Sequence, residues 1–452
     1  MNASERFIKT FKTLLPAPFT IAVGLTAITY WIAVFVSDTN ESFIPHAISV
    51  LEYWEEGLWN KGLLVFALQM MLMLVLGHVL ALTKPVDILI SKATMFCNNT
   101  ANAAAIVTFL TVIVSLFNWG LGLIFGAIFA RKVAEHAVKN NFKLNYPIIG
   151  AAGYSGLMVW HGGLSGSAPI KVAEPGHFLE DQLGVISQGE TVFSSMNIII
   201  SCVLIIVLPL AMYLLGRKTQ EEKVVLFENH FVSNNKTTKS IEGAEKLDHS
   251  RLLAYIFGTI IIGLSLYKAF LKPDEISLKI ITPNYINFVL LGLAIILHGS
   301  FYKFLSAVDS AISGASGILI QFPLYFGIMG IMSNSGLVEQ FSAFFVQHST
   351  EVTFPIYTFF SAGIVNIFVP SGGGQWAVQG PIIVNAANEL GVSLPKSIMA
   401  LAYGDQLTNM LQPFWALPLL GITGLKAKQI LPYTLFLLVI GMVIFIGGLL
   451  IF

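Results

Sequence analysis

The sequence predicts an all-α polytopic membrane protein built from two inverted-topology repeats, each with a re-entrant hairpin and a broken transmembrane helix. Three observations predict it. Hydrophobic residues make up 55% of the chain and charged residues 11%, against about 25% charged in an ordinary soluble domain, so the solvent is a lipid bilayer. Several runs reach the roughly 20 apolar residues that span a hydrocarbon core: Pro18 to Val36, Leu63 to Leu82, Val192 to Leu215, Leu252 to Phe270 and Tyr433 to Phe452. The third observation is internal similarity. Asn118-Trp119-Gly120-Leu121-Gly122, Tyr146-Pro147, Gly153-Tyr154-Ser155-Gly156 and Ser167-Ala168-Pro169 find counterparts in Asn366, Pro370-Ser371-Gly372-Gly373-Gly374, Leu394-Pro395, Ala402-Tyr403-Gly404-Asp405 and Ala416-Leu417-Pro418. Asn118 to Pro147 and Asn366 to Pro395 are both 29 residues apart, and Tyr154 to Pro169 and Tyr403 to Pro418 both 15. Paired, Gly/Pro-interrupted apolar segments in the two halves of a membrane protein mark a transport site.

Each element follows from length and from the rule that Lys and Arg collect in cytoplasmic loops. Arg6, Lys9 and Lys12 place the amino terminus inside, and the apolar run behind them is too long for a signal-peptide core. The first span, 16–36, leads to an acidic outer segment, 37–60, that holds Glu52, Glu55 and Glu56 without a cation, and span 61–82 returns. The apolar stretch 105–130 cannot cross once and still deliver Arg131, Lys132, Lys139 and Lys143 to the inside, so it enters and turns back near Asn118-Trp119-Gly120. Span 146–168 goes out, 191–216 comes in, and 217–250 forms a basic cytoplasmic linker. An extra crossing, 251–271, then inverts the second half. Spans 284–303 and 308–332, a hairpin over 354–380 with its tip at Asn366 to Gly374, a broken span 396–422 and a last span 429–452 follow, leaving the carboxyl terminus outside. The domains are therefore a first repeat (1–216), the linker (217–250), a linking helix with its outer loop (251–283) and a second repeat (284–452).

The composition also excludes functions. Formal net charge is zero and no basic cluster alternates with aromatics, so nucleic acid is not a partner. Cys97 and Cys202 stand far apart without metal-ligand spacing and read as packing residues. Ser371 to Gly374 lacks the GK[ST] of a phosphate loop, Gly163 to Ser167 misses GxSxG at its last position, and no HExxH or paired-carboxylate motif occurs, which argues against an enzyme.

What the breaks are for follows from helix ends, whose unsatisfied amides receive anions. The hairpins and the spans behind them carry no Arg, so an anionic substrate would be held by half-helix N-termini, by backbone amides of the glycine runs at Gly120, Gly163 and, after Pro370, at Ser371-Gly372-Gly373-Gly374, and by Asn118, Ser165, Ser167, Asn366, Gln375, Asn409 and Gln412. Trp119, Trp160, Trp376, Phe414 and Trp415 would wall an apolar tail. Three ionisable groups fall inside apolar spans, where a charge costs about 2.5–3.5 kcal/mol on the lenient scale: His78, His161 and Asp405. Asp405 is the candidate for a coupling H⁺ or Na⁺, with Asn118 and Asn366 as helpers; His161 is a titratable candidate of the substrate site; His78 reads as interfacial. No other cofactor is expected. A passive anion channel or a carrier for another small carboxylate stands as the alternative, with a membrane acyl hydrolase or transferase behind both.

The motifs Asn118-Trp119-Gly120-Leu121-Gly122-Leu123, Gly162-Gly163-Leu164-Ser165-Gly166-Ser167, Val369-Pro370-Ser371-Gly372-Gly373-Gly374-Gln375-Trp376 and Gln412-Pro413-Phe414-Trp415-Ala416-Leu417-Pro418 resemble the short-chain fatty acid transporter family, over essentially the whole chain. The resemblance implies uptake of short carboxylates such as butyrate and acetoacetate across a bacterial inner membrane, by a cation-coupled carrier whose inverted repeats move as an elevator, an arrangement that favours a homodimer. Asp405 stands where that pattern expects Glu and Gln375 where it expects His.

Overall fold

The computed structural model describes residues 18–37, 42–224, 242–273, 278–368, 372–411 and 415–452. The first half runs α1 (Pro18–Val36), α2 (Phe43–Leu58), α3 (Lys61–Ala81), α4 (Lys84–Thr94), α5 (Thr100–Phe117), α6 (Trp119–Lys139), α7 (Tyr146–Tyr154), α8 (Ser167–Lys171) and α9 (Ser195–Gly216). The second continues with α10 (Arg251–Leu266), α11 (Pro283–His298), α12 (Phe301–Ala311), α13 (Ser316–Asn334), α14 (Leu337–His348), α15 (Phe354–Phe368), α16 (Gly372–Leu390), α17 (Leu394–Thr408), α18 (Leu417–Thr423) and α19 (Ala427–Ile451). No strand occurs among the described residues.

Among the described residues, five helical segments are long and apolar enough to cross a bilayer: α3, α5, α9, residues 251–271 beginning with α10, and α19. Their outer faces carry exposed Ile206, Ile260 and Val443, which lipid accommodates and water does not. The protein is a multi-pass membrane protein. Its main core is drawn from both halves, with Phe66 and Met73 of α3, Phe125 of α6, Tyr325 of α13, Tyr403 of α17 and Phe445 of α19 in one cluster.

The turn inside 105–130 falls where expected but is tighter than a loop. Asn118 closes α5 by donating its N–H to the Val114 carbonyl at 3.0 Å, and opens α6 by accepting the Leu121 N–H on Oδ1 at 2.8 Å. One extended residue (φ −151°, ψ 125°) thus serves both helix ends. The two helices fold back on one another because Gly122 leaves room: a Cβ there would stand 2.7 Å from Ser115 Cα. Polar ends extend both arms beyond the apolar stretch, to Thr100 and Lys139.

Several elements depart from the expectation. The acidic segment 37–60 holds α2, whose Gly57 lies against the α13 backbone at Phe326 and Gly327. Its Glu52, Glu55 and Glu56 are exposed, and their charge masked the helix in a reading by charge. The helix α4, with exposed Lys84 and Asp87 and buried Ile90, was likewise hidden by length, at 11 residues. Cys97 is a core residue as expected, but Cys202 is exposed on α9, because in a lipid-facing helix an apolar side chain does not have to face inward.

Candidate transport site

Both segments expected to break do so. After α7 the chain tightens into two short 3-10 turns, Ser155–Met158 and Trp160–Gly162, before α8 begins. After α17 a 3-10 turn, Asn409–Leu411, precedes α18. The two irregular segments touch: the Tyr154 hydroxyl donates to the Asn409 carbonyl at 3.1 Å, and Asn409 Nδ2 donates to the Leu157 carbonyl at 3.5 Å.

The first broken segment docks on the α5–α6 turn. Leu164 donates its N–H to the Leu116 carbonyl at 2.8 Å, and the Trp119 N–H donates to Ser165 Oγ at 2.9 Å. Gly163 permits this approach, since a Cβ there would stand 2.7 Å from Leu116 Cα. The amide at the start of α6 is therefore occupied by a serine hydroxyl. Asn366, near the end of α15, plays a different part from Asn118: its Nδ2 donates to the Asp405 carbonyl at 2.8 Å, Thr408 Oγ1 at 2.9 Å and Asn409 Oδ1 at 3.2 Å.

His161 and Asp405 meet. Nε2 of the imidazole lies 3.4 Å from Oδ2 of the carboxylate, and both side chains are within 1% of complete burial. At that separation and geometry no hydrogen bond joins them, and neither ring nitrogen of His161 nor Oδ2 of Asp405 has another hydrogen-bond partner. The main chain holds them in place: the His161 N–H donates to Gln406 Oε1 at 2.9 Å, so the residue next to Asp405 grips the residue bearing the imidazole. The first residue of α16 closes over the ring. A Cβ on Gly372 would stand 2.6 Å from His161 Cε1 and 2.9 Å from Trp160 Cη2. The Trp160 and His161 rings are 3.7 Å apart, and Trp119 lies 5.4 Å from Trp160 and 5.2 Å from Trp415.

The structure thus assembles Asn118, Trp119, Ser165, His161, Gly163, Gly372, Asn366, Asp405 and Asn409, while other predicted residues go elsewhere. Ser167 donates toward Met70 Sδ at 3.7 Å, across to α3. Gly120 lies against the Leu74 backbone, Gly373 against Phe66 and Phe322, and Gly374 against Tyr325; these glycines bring helices together. Gln375 Nε2 donates to the Ala362 carbonyl at 2.9 Å and to Gln379 Oε1 at 2.7 Å. Trp376 is not a wall of the aromatic group: it lies one turn further along α16 than Gly372 and packs in a second cluster with Ala168, Val172 and Phe354. His78 is half-buried near the end of α3. Pro370, Ser371, Gln412 and Phe414 lie outside the described residues.

Sequence reasoning missed a second polar centre. Lys171, at the end of α8, is buried and donates to Glu174 Oε2 at 2.7 Å and Gln69 Oε1 at 3.2 Å. Gln69 Nε2 donates to Glu174 Oε1 at 2.8 Å, and Asn284 Nδ2 to the same oxygen at 2.7 Å. The Lys171 ammonium also lies 5.4 Å from the centroid of the Phe66 ring. The available signal was Lys171 and Glu174 at helical i, i+3 spacing directly after Pro169. Gln406, Tyr154, Tyr403 and Asn197 were missed as well; Tyr403 donates to Asn197 Oδ1 at 2.9 Å, and Asn197 Nδ2 to the Gly162 carbonyl at 2.8 Å.

A multi-pass helical chain whose two broken segments bury an ionisable pair between them has the form of a membrane transporter, and its relatives agree. The family model for short chain fatty acid transporters matches residues 2–452. A protein of Escherichia coli K12 is 37% identical over 454 residues, covering 99% of both chains, and one of Haemophilus influenzae is 37% identical over 456 residues, covering 98% of both; each bears the name "Putative short-chain fatty acid transporter". The chain belongs to the short-chain fatty acid transporter family, and it is a transporter, not an enzyme. Solved structures share the fold at low identity. The YdaH transporter of Alcanivorax borkumensis superposes with a TM-score of 0.60 at 13% identity, covering 96% of this chain and 98% of that one. MtrF of Neisseria gonorrhoeae, described with a class of antimetabolite efflux pumps, gives 0.56 at 14% identity, covering 99% and 97%.

Proposed function

We propose that this transporter takes up short monocarboxylates, of the butyrate and acetoacetate kind, across the inner membrane in company with a coupling cation. The observation that carries the reading is the meeting of His161 and Asp405 at 3.4 Å, one from each broken segment, beside the ring group of Trp119, Trp160 and Trp415. A short carboxylate presents one charged head and a small apolar tail, and the place offers a titratable pair for the first and indole faces for the second. The broken segments lie near the midplane, where irregular backbone is tolerated only inside protein or beside water. The cation offsets the substrate charge at Asp405, so that a neutral load crosses the low-dielectric region. The two halves, 1–216 and 284–452, act as inverted repeats around this site, with hairpins entering from opposite sides, the amino terminus inside and the carboxyl terminus outside. An elevator motion of the hairpins and broken helices against the remaining helices, within a homodimer, carries the load.

The test is exchange. Proteoliposomes preloaded with unlabelled butyrate and placed in labelled butyrate at alkaline pH, where passive entry of the neutral acid is slow, should show saturable counterflow that acetoacetate competes. Flux that rises linearly with concentration would assign a channel instead, and absence of protein-dependent flux would refute short-carboxylate transport.

A further inference from the structure

The neighbourhood of Asp405 discriminates between coupling cations. Hard cations such as sodium gather oxygen ligands, whereas the group that faces Asp405 Oδ2 is an imidazole nitrogen 3.4 Å away. The main-chain oxygen of Asp405 is already taken, accepting from Asn366 Nδ2 at 2.8 Å and Thr408 Oγ1 at 3.2 Å. A sodium ion fits this place poorly; a proton needs only a lone pair, and here the basic nitrogen of the imidazole and Asp405 Oδ2, neither in a hydrogen bond, each offer one.

Charge counting gives the number of protons. With none beyond the bare carboxylate and neutral imidazole the pair is −1, with one it is neutral, and with two it is +1. Burial on all sides disfavours a net charge, so the empty carrier rests with one proton on one member of the pair. A substrate carboxylate adds −1 and restores neutrality only if a second proton arrives with it. We infer that His161 and Asp405 form one proton-binding unit that holds a single proton at rest and takes up a second with each carboxylate, making transport a one-to-one, electroneutral co-transport of anion and proton. The inference rests on the carrier reading given above and specifies its coupling ion.

Nearby titratable groups do not supply this proton. On the elements packed around the pair, Tyr403 donates to Asn197 Oδ1 and Tyr154 to the Asn409 carbonyl. Lys171 of α8 is held by Glu174 and Gln69, α5 carries no titratable side chain, and Tyr357 of α15 is exposed. On α16, α17 and α19, Glu389, Lys396, Lys428 and Tyr433 sit at the helix ends, and Tyr433 is engaged by Asn145 Nδ2.

The experiment is titration calorimetry of butyrate into the purified full-length chain, at concentrations spanning half-saturation of exchange, in buffers of different ionisation heat. This counts protons taken up per anion bound. The expected result is one proton per butyrate without a need for sodium, and affinity that weakens by about tenfold per pH unit once the second proton must be drawn from a more alkaline medium. Saturable binding without proton uptake, a requirement for sodium, or an unchanged proton count in His161→Gln would overturn the pairing and leave the carrier reading standing. Failure of both binding and butyrate exchange in the wild type would overturn the carrier reading itself. Where His161→Gln or Asp405→Asn no longer binds, the wild-type proton count and its pH dependence decide the matter.

Discussion

Among the described residues two acid–base pairs lie largely out of solvent, and they are finished in opposite ways. Lys171 and Glu174 are joined at 2.7 Å, Gln69 accepts from Lys171, and Gln69 and Asn284 both donate to Glu174. His161 and Asp405 stand 3.4 Å apart, with both ring nitrogens and one carboxylate oxygen left without a hydrogen bond. A saturated network is a fastening: it ties the end of α8 to α3 and α11, and its stability depends on every member being present. An unsaturated pair at the junction of two broken segments is a seat with capacity to spare. The contrast separates a charge tied into the fold from one left open for the transport proposed above, although both lie largely out of solvent.

Breaking one partner of each pair sharpens that contrast most. Lys171→Met should strand the Glu174 carboxylate in a largely buried place and cost about 3–5 kcal/mol, read as a lowered thermal unfolding midpoint. Adding Glu174→Gln to it should recover most of the loss, and a single variant as stable as the wild type would show that this network is not a fastening. Asp405→Asn, whose Oδ2 gives up no hydrogen bond, should leave the unfolding midpoint nearly unchanged.

The frame around the site gives smaller effects. Gly122→Ala places a methyl against the Ser115 backbone and should cost about 1–3 kcal/mol by overpacking, measured by the same unfolding scan; an unaffected midpoint would mean that the α5–α6 contact yields readily. Ser165→Ala removes the acceptor of the Trp119 N–H and should cost about 1 kcal/mol, with the tryptophan emission shifted as the Trp119–Trp160–Trp415 group relaxes. No emission change would detach that group from the hydrogen bond.

The smallest effect is in the connection between α8 and α9. His177 accepts the Leu179 N–H on Nδ1 at 3.2 Å and donates from Nε2 to the Gly184 carbonyl at 2.9 Å, which fixes the neutral tautomer. Burial holds its pKa below the ordinary value of 6.5, against the opposing hydrogen bond to Gly184. Above about pH 6.5 both folded and unfolded chains carry it neutral. Below that the unfolded chain protonates first, so stability is lost from pH 6.5 downward until the folded value is reached. Limited proteolysis of residues 172–194 should quicken between pH 7.5 and 5.5 and should lose that pH dependence in His177→Gln.

The sequence disclosed the breaks better than the contacts. Asn118 could be found because an Asn before Trp-Gly inside an apolar stretch is both a helix stop and a helix start, and the structure uses it as both. Asp405 and His161 were visible separately, since a charged or titratable residue in an apolar span is conspicuous. Their meeting was not, because 244 residues separate His161 from Asp405 and spacing carries no information across halves. Glycines misled where close packing and ligand approach leave the same residue: Gly373 and Gly374 serve helix contact, while Gly372 alone of that described run faces His161. Lys171 was overlooked because it lies just past the apolar stretch, where a lysine ordinarily reaches water; only the fold brings Gln69 and Glu174 over it. α2 and α4 escaped a search tuned to long apolar runs.

The central claim is tested most directly by uptake of labelled butyrate into proteoliposomes at alkaline pH, with inward proton and sodium gradients imposed separately. The account predicts saturable accumulation driven by the proton gradient in the absence of sodium, competed by acetoacetate and abolished in a folded Asp405→Asn variant. Accumulation driven by sodium alone, or undiminished in Asp405→Asn, would contradict it.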